Sequence, residues 1–313
     1  MIEVTARLKE RFCKDCNIPI RLFQEPYFSE RLKLYDRFFG TLEKYKVFLD
    51  GLERYSSEQE YFEEYNAVKD AAIGYIKNSE GYIAFNSADM NGYRVKNINL
   101  PSKDIFKPSN DGKSFISVDM RKANFSSLHH YASDIFCGAE TWEQFIGGFT
   151  SNHHIVNSKY IRQVILGNCN PKRHITYEKY LMDQVLTSIN TNIDSDLEIV
   201  FFSNDELIFD VSGLNSDEII RLSENLRRYT DELDIPLKVK PFKLYSIKGT
   251  DGYIEVMYGS NDIDFKCLNN YVYPFVLREL LGEDVQESDK VFYHEGLLAK
   301  FIEVPKIEVN LNE

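Results

Sequence analysis

The chain has 313 residues, of which 43% are hydrophobic and 27% are charged, and its formal net charge is −12. This length can form two or three subdomains around a sizeable core, and the composition is typical of a soluble globular protein. The acidic balance argues against a protein that coats nucleic acid nonspecifically. No apolar run approaches the length of a membrane span and the N-terminus lacks a signal-peptide pattern. We therefore expect a cytoplasmic protein, in a bacterial or phage-infected cell, without membrane contact.

The first 80 residues are predicted to be helical. Aromatic and aliphatic side chains recur at three-to-four spacing, as in Tyr45, Phe48 and Leu52, which is typical of helices that pack in a core. Cys13 and Cys16 form a lone Cys-x-x-Cys without a second pair at zinc-finger spacing, so we interpret them as ordinary thiols. Residues 81–121 are expected to form strands and loops.

Asp119 stands where a predicted strand gives way to a predicted helix. The alternating β-branched and aromatic residues of 114–119 indicate a short buried strand, and residues 120–136 have helical spacing. A carboxylate at a strand end is held rigidly and is open to solvent, which suits a divalent metal. The alternative is that Asp119 only caps the following helix.

A second group of acids lies at a predicted hairpin tip. Two apolar β-rich runs flank Ser203-Asn204-Asp205, and Asn and Asp tolerate the backbone of a tight turn, so Asp205 and Glu206 are placed at the tip. Such acids can serve solubility alone. With Asp119 they also fit a two-metal phosphoryl-transfer site, in which paired carboxylates hold two divalent ions.

Basic residues are concentrated between these two acidic segments. Residues 159–167 are predicted to form a helix with Lys159 and Arg162 on one face, and Lys172-Arg173-His174 opens a further helix that extends to about residue 190. This face is either solvated or binds phosphates.

Four segments, in this order, resemble family A (polymerase I-like) DNA polymerases. Gly92-Tyr-Arg94 with Asn97-Ile-Asn-Leu-Pro101 is similar to the Gly-Arg and Asn-Ile-Pro segment, and Phe-Ile-Ser-Val-Asp119 to motif A. Ser-Asn204-Asp205-Glu206-Leu is similar to motif C, and residues 219–226 and 235–240 to the helix and strand that close the palm. The resemblance covers roughly residues 80–250 and implies a miniature, divergent relative, of a size typical of phages or mobile elements.

The resemblance also implies roles for individual residues. Asp119, Asp205 and the backbone carbonyl of Met120 would hold two Mg²⁺ or Mn²⁺ ions, and Glu206 would be an auxiliary acid near the primer end. Arg162 would take the place of the triphosphate-binding lysine, with Lys159, Lys172 and Arg173 as further phosphate or template contacts. Leu166 stands where the family has a base-stacking aromatic residue, and Asn124 stands where it has a sugar-discriminating Glu. Asn204 replaces the His of motif C.

The expected architecture is therefore an α+β, right-hand polymerase palm, an antiparallel sheet with helices. Residues 1–80 would be a helical thumb-like region, 81–145 and 191–250 the palm, and 146–190 a reduced fingers-like insert. Residues 251–313 would be a C-terminal extension that covers a sheet edge or binds a partner protein. It is expected to include a helix over 271–281 and a strand around 301–304.

The expected activity is nucleotidyl transfer from deoxynucleoside or nucleoside triphosphates to a primer annealed to a nucleic-acid template. Two alternatives remain open: a metal-dependent nuclease that uses the same acids on water, and a non-catalytic palm descendant that binds nucleic acid or assembles with a partner. The pairs His129-His130 and His153-His154 are interpreted as packing or surface residues, since adjacent residues of one element do not readily face one metal.

Overall fold

A computed structural model describes residues 2–193, 197–260 and 262–311, which form twelve α-helices, a six-stranded antiparallel sheet and a separate two-stranded one. The protein is therefore α+β, as the sequence predicts. The helices are α1 (Ala6–Asp15), α2 (Tyr27–Phe39), α3 (Thr41–Leu52), α4 (Glu58–Asn78), α5 (Glu80–Ser87), α6 (Ala123–Tyr131), α7 (Trp142–Gly147), α8 (His153–Val156), α9 (Lys159–Gly167), α10 (Pro171–Asn192), α11 (Ser216–Asp231) and α12 (Tyr273–Leu281). The strands are β1 (Ser114–Met120), β2 (Glu198–Phe202), β3 (Glu206–Asp210), β4 (Leu237–Ser246), β5 (Tyr253–Met257), β6 (Ile263–Lys266), β7 (Val291–His294) and β8 (Leu297–Lys300). In the described part of the chain, no helix combines the length and the apolar character needed to cross a membrane.

The large sheet has the strand order β2-β3-β1-β4-β5-β6, so β1 lies in its interior between β3 and β4. Successive side chains of a strand point to opposite faces. On one face Val118, Leu207 and Val239 belong to the main core, which the helices complete. On the other face Phe115 belongs to a smaller apolar cluster, and Asp119 follows it four residues later on that same face.

The N-terminal helices pack against the segment that follows β1. Helices α1 and α4 both contact α9, α3 contacts α8, and their apolar side chains share the main core with β1 and α10. The thumb-like region 1–80 and the fingers-like insert 146–190 of the sequence analysis thus lie side by side. The division into polymerase subdomains stays a prediction.

Two helices near the large sheet differ from expectation. Residues 81–87, expected in strands and loops, belong to α5, because Ser79 caps the helix by accepting a hydrogen bond from the Tyr82 amide while Tyr82 and Phe85 become buried. The helix predicted over 120–136 begins only at Ala123, since Lys122 has a left-handed backbone (φ 50°) that interrupts it. It ends at Tyr131, and a short 3₁₀ turn follows over Ser133–Phe136.

The C-terminal segment extends and braces the sheet. Strands β5 and β6 continue it beyond residue 250, where the sequence analysis ends the palm, and α12 confirms the helix predicted there. The strand expected around 301–304 is wrong, because the β7–β8 hairpin already ends at Lys300. Further on, the backbone of Glu308 pairs with that of Lys248 just after β4. The extension thus covers part of the sheet, and a partner protein stays a prediction.

Candidate active site

The two acidic segments meet at one end of the large sheet. Asp119, near the end of β1, lies directly opposite Glu206, the first residue of β3. The backbone amide of Met120 donates a hydrogen bond of 2.7 Å to the carbonyl oxygen of Asp205. This bond ties the tip of the β2–β3 hairpin to the end of β1, so the predicted meeting of Asp119 with Asp205 follows from strand pairing.

Ser203 holds the hairpin tip in shape. Its hydroxyl oxygen accepts hydrogen bonds from the amides of Asp205 (3.3 Å) and Glu206 (3.0 Å), and the hydroxyl donates to Oδ1 of Asp205 (3.0 Å). Short polar side chains that bond the nearby backbone favour such turns. The predicted hairpin is confirmed, and the Asp205 side chain is fixed by its own turn.

Burial and nearby carboxylates raise the pKa of Asp119. Its pKa is raised to about 6, chiefly because the side chain is partly buried and then because the negative charges of Glu206 and Asp205 lie nearby. Lys240 and Lys266 oppose this shift without cancelling it. A bound cation would relieve the residual repulsion, so the electrostatics of this strand end favour a positively charged ligand.

Glu206 and Met120 have fewer atoms available as ligands than Asp119 and Asp205. The hydroxyl of Ser117 donates a hydrogen bond to the Glu206 carboxylate, which is therefore partly engaged on the sheet face. The Met120 side chain is buried in the main core. Only its backbone carbonyl could serve as a ligand, which is the role that the resemblance gives it.

A cavity of about 480 Å³ opens beside these strand ends, between α9 and the first turns of α10. Nine residues singled out in the sequence line it: Asp119, Met120, Asn124, Lys159, Arg162, Leu166, His174, Asn204 and Asp205. Its volume is within the range of small-molecule sites. A larger cleft of about 660 Å³, between α6 and the end of α11, contains neither Asp119 nor Asp205.

Helix α9 is anchored by a buried carboxylate. Ser158 caps the helix by accepting a bond of 2.9 Å from the Ile161 amide, and its hydroxyl donates to Asp15 at 2.7 Å. Asp15 also contacts the Tyr65 hydroxyl (2.8 Å) and Nε2 of His154 (3.0 Å). Because α1 thus holds the first turn of α9, the basic side chains of α9 are presented from a fixed support.

Two cations of α9 are incompletely neutralised. Arg162 is half-buried, and its Nε has no hydrogen-bond partner among the described residues. Burial lowers the Arg162 pKa, and Glu143 opposes that shift. Partial burial and the neighbouring Arg162 also lower the pKa of Lys159. A half-buried guanidinium with an unused donor favours an anion such as a phosphate, and Lys159 adds a second positive charge to the same cavity.

The other two predicted phosphate contacts lie elsewhere. Lys172 is exposed at the start of α10 and does not line the cavity. The guanidinium of Arg173 donates hydrogen bonds to the backbone carbonyls of Phe85 (2.8 Å) and Ala88. Since these bonds close the C-terminal end of α5, Arg173 stabilises the fold and is not part of the site that we propose.

Lys122 and Glu178 line the cavity without a role assigned from the sequence, and His174 was named there only as part of the basic trio that opens α10. Lys122, whose amine donates to Glu143 (2.7 Å), adds a third cation. His174 and Glu178 also line the cavity. Their spacing of four residues on a predicted helix was the available signal, because it places both on one face. What the sequence did not show is that this face turns toward Asp205.

Glu178 is a buried acid. It is 4% exposed, and its Oε2 accepts a hydrogen bond of 2.8 Å from the Asn204 side chain. Its pKa is raised to about 7, mainly by burial; the bond from Asn204 opposes the shift and the charge of Asp205 adds to it. Asn204, which replaces the His of motif C, therefore connects the hairpin tip to α10.

The donor set fits a divalent ion only in part. Within the described residues, no three His, Cys, Asp or Glu side chains form a group that could hold a metal. Two carboxylates and one backbone carbonyl nevertheless suit Mg²⁺, which usually keeps several waters and binds through one or two carboxylates and substrate phosphates.

The chain was compared with protein-family models, with curated proteins and with solved structures, and none of them matches it. The fold class therefore rests on the structure alone.

Proposed function

We propose that this protein is a small polymerase-like nucleotidyltransferase, which adds nucleotides to a primer 3′-hydroxyl with two Mg²⁺ or Mn²⁺ ions. One observation carries the proposal: a single cavity is lined by Asp119 and Asp205 from adjacent strands and by Lys159 and Arg162 from one helix. Acids that can hold cations and cations that can hold phosphates are the two parts that phosphoryl transfer needs.

Each residue has a specific part in this proposal. Asp119 and Asp205, with the carbonyl of Met120, would hold the ions, which when bound stabilise charge on the attacking and leaving oxygens. Arg162 and Lys159 would bind and orient the triphosphate from α9. The palm architecture and the primer–template partner belong to the same proposal, because both rest on the resemblance.

Lys122 would add a third positive charge to the phosphate site. Its amine is paired with Glu143, so it is available to a phosphate only if that ion pair opens. Glu206, bonded by Ser117, would remain on the sheet face near the primer end.

A palm-derived binding protein is the second candidate. Among the described residues, only Asp119 and Asp205 bring acids to the cavity from the strand ends, and Leu166 is fully buried and cannot stack on a base as an aromatic residue would; both features favour such a protein. Such a protein would bind nucleotides or nucleic acid without turnover. A nuclease would use the same acids on water, and no separate observation favours it.

Primer extension tests the proposal. We would compare the wild type with Asp205→Ala, using labelled deoxynucleotides and ribonucleotides separately, in Mg²⁺ and in Mn²⁺. The matched control is Asp251→Ala, since Asp251 is an exposed acid in the loop after β4. We expect extension that Asp205→Ala abolishes and Asp251→Ala preserves. Absence of extension in every condition, or extension that survives Asp205→Ala, contradicts the proposal, and loss of the labelled primer itself would favour the nuclease.

A further inference from the structure

A second cleft adjoins the candidate active site at α10. Its volume is about 790 Å³, and Ile175 lines both this cleft and the cavity that contains Asp119. One wall is the face of α10 that carries Thr176 and Lys179, and the other is the segment of residues 88–95 that follows α5. A ligand in this cleft would therefore lie beside the proposed nucleotide site.

Helix α10 holds both ends of the opposite wall. Near its start, Arg173 donates hydrogen bonds to the backbone carbonyls at the end of α5. Just beyond it, the fully buried carboxylate of Asp183 accepts hydrogen bonds from the amides of Lys96 (2.9 Å) and Asn97 (3.1 Å). Because the segment is bonded to α10 on either side of the cleft, the side chains between these anchors are presented from a fixed support.

The cleft is basic although the protein as a whole is acidic. Arg94, Arg173 and Lys179 line it, and Asp89 is the one acid beside them among the described residues, whereas the net charge of the chain is −12. Lys179 is exposed and forms no ion pair within the described part of the chain. Arg94 is also exposed and donates only to the side-chain oxygen of Asn91 (2.6 Å), so its charge is not neutralised. Such a groove attracts a polyanion.

Apolar and aromatic side chains lie beside these cations. Ile175 is 45% exposed and Val95 is 36% exposed, and the half-buried Tyr93 lines the same cleft. Edge-to-face contacts with Tyr177 and Tyr180, at centroid distances of 4.9 and 5.3 Å, hold the ring of Tyr93. The bases of a single strand are free to stack on aromatic rings and to cover apolar surface, whereas a duplex keeps its bases stacked inside. The combination therefore suits a single strand.

We propose that this cleft binds a single-stranded nucleic acid and leads it, as the template strand, to the nucleotide cavity. The phosphates contact Arg94 and Lys179, and the bases lie against Val95 and Ile175. Lys172 is exposed on the same face of α10, two helical turns or about 10 Å before Lys179, and extends the basic surface toward the cavity. Only the description of the strand as a template rests on the proposed function.

Strand binding can be measured without activity. Fluorescence anisotropy would follow labelled oligothymidylate, oligouridylate and a DNA hairpin duplex, with the full-length protein and without nucleotides or divalent ions. We expect at least one of the single strands to bind at least tenfold more tightly than the duplex. The two single strands distinguish DNA from RNA, and the wild-type protein alone gives this result.

The double variant Arg94→Ala with Lys179→Ala tests the cleft. We expect single-strand binding at least tenfold weaker than in the wild type. The slope of log affinity against log salt should fall by about 1.4, because each phosphate contact of a single strand contributes about 0.7. The charge-conserving pair Arg94→Lys with Lys179→Arg should bind within about threefold of the wild type, since the phosphate contacts are chiefly electrostatic.

The matched control is Lys46→Ala with Arg228→Ala, which removes one exposed lysine and one exposed arginine from other helices. Arg228 donates to Asn225 at 2.6 Å, as Arg94 does to Asn91, so the two arginines lose the same kind of local bond. This control should bind single strands as the wild type does. Urea unfolding of all variants would show that each has the wild-type fold.

No single-strand binding by the wild type, tighter binding of the duplex, unchanged binding in the cleft variant, or an equal loss in the control would each overturn the inference. The proposed function fails separately. Primer extension that depends on Asp205 but survives the cleft variant keeps that function and removes the cleft as the path of the template. Strand binding that depends on the cleft, without extension, keeps the cleft and favours the binding protein.

Discussion

The sharpest prediction concerns Asp119, because the fold holds its charge at a cost. The shift of its pKa from 3.8 to about 6 corresponds to about 3 kcal/mol at roughly 1.4 kcal/mol per unit. Solvent reaches part of the carboxylate and screens its neighbours, so we take about half of this value, about 1.5 kcal/mol. Asp119→Asn removes the charge with little change in shape. We therefore expect the variant to have the higher free energy of unfolding at neutral pH.

The sign of the effect follows from linkage. The pKa of Asp119 in the folded protein lies above its value in the unfolded chain. The contribution of this group to the free energy of unfolding is therefore fully present below about pH 3.8 and is lost as the pH rises through about 6. The advantage of Asp119→Asn should therefore grow between about pH 4 and 6 and stay constant above about 7. Urea unfolding of both proteins over this range measures it. The exposed Asp251→Asn is the control and should show no such trend.

Divalent cations give the second half of this experiment. A ligand that binds only the folded state at 100 times its Kd adds about 2.7 kcal/mol to stability. Mg²⁺ or Mn²⁺ should thus stabilise the wild type and have little effect on Asp119→Asn, reversing their order of stability. A difference between the two proteins that is independent of pH, together with equal responses to the ions, would refute the reasoning about Asp119.

Three further predictions separate binding from support. Arg162→Ala should weaken triphosphate binding at least tenfold in calorimetry, with only a small loss of stability. Arg173→Ala should instead lower the free energy of unfolding by about 1–3 kcal/mol and leave triphosphate binding unchanged, because its hydrogen bonds go to backbone carbonyls at the end of α5. The reverse pattern would exchange the roles of the two arginines. Ser158→Ala removes both the cap of α9 and a hydrogen bond to the buried carboxylate of Asp15, so it should lower the free energy of unfolding in urea by about 1–3 kcal/mol. An unchanged free energy of unfolding would show that α9 does not need this anchor. Arg31 of α2 forms a buried ion pair with Asp289 (2.6 Å) in the C-terminal segment, and Asp289 also bonds Arg278 (2.9 Å). Arg31→Ala therefore leaves a buried carboxylate with only part of its pairing, and we expect a loss of about 3–5 kcal/mol in urea unfolding and faster proteolysis of the C-terminal segment. An unchanged digestion pattern would show that this ion pair does not hold the segment.

Local chemistry explains which parts of the site could be predicted. The hairpin that carries Asp205 is encoded by Ser203, Asn204 and the β-rich runs beside it, and the structure contains that hairpin. The end of β1 and the helix with Lys159 and Arg162 follow equally from alternation and from helical spacing. Each of these features depends on neighbours within a few residues, which is why the pattern was sufficient.

Other features depend on contacts between distant parts of the chain. A basic residue that opens a helix predicts a phosphate contact at Arg173, whereas the structure shows its guanidinium bonded to a carbonyl of α5, more than eighty positions earlier in the chain. Helix α5 itself was missed because its identity depends on burying Tyr82 and Phe85 under distant elements. A basic side chain looks the same in the sequence whether it meets a phosphate or a carbonyl.

The sequence by itself determined the α+β class, the two strand-end acids and the basic helix, since propensity, alternation and turn chemistry are local properties. Only the tertiary structure decided that Glu178 and His174 face the same cavity as Asp119, that burial shifts their pKa values, and that α1 holds α9 through Asp15. Burial and electrostatic fields depend on which segments the packed chain brings together. No single stretch of the sequence carries that information.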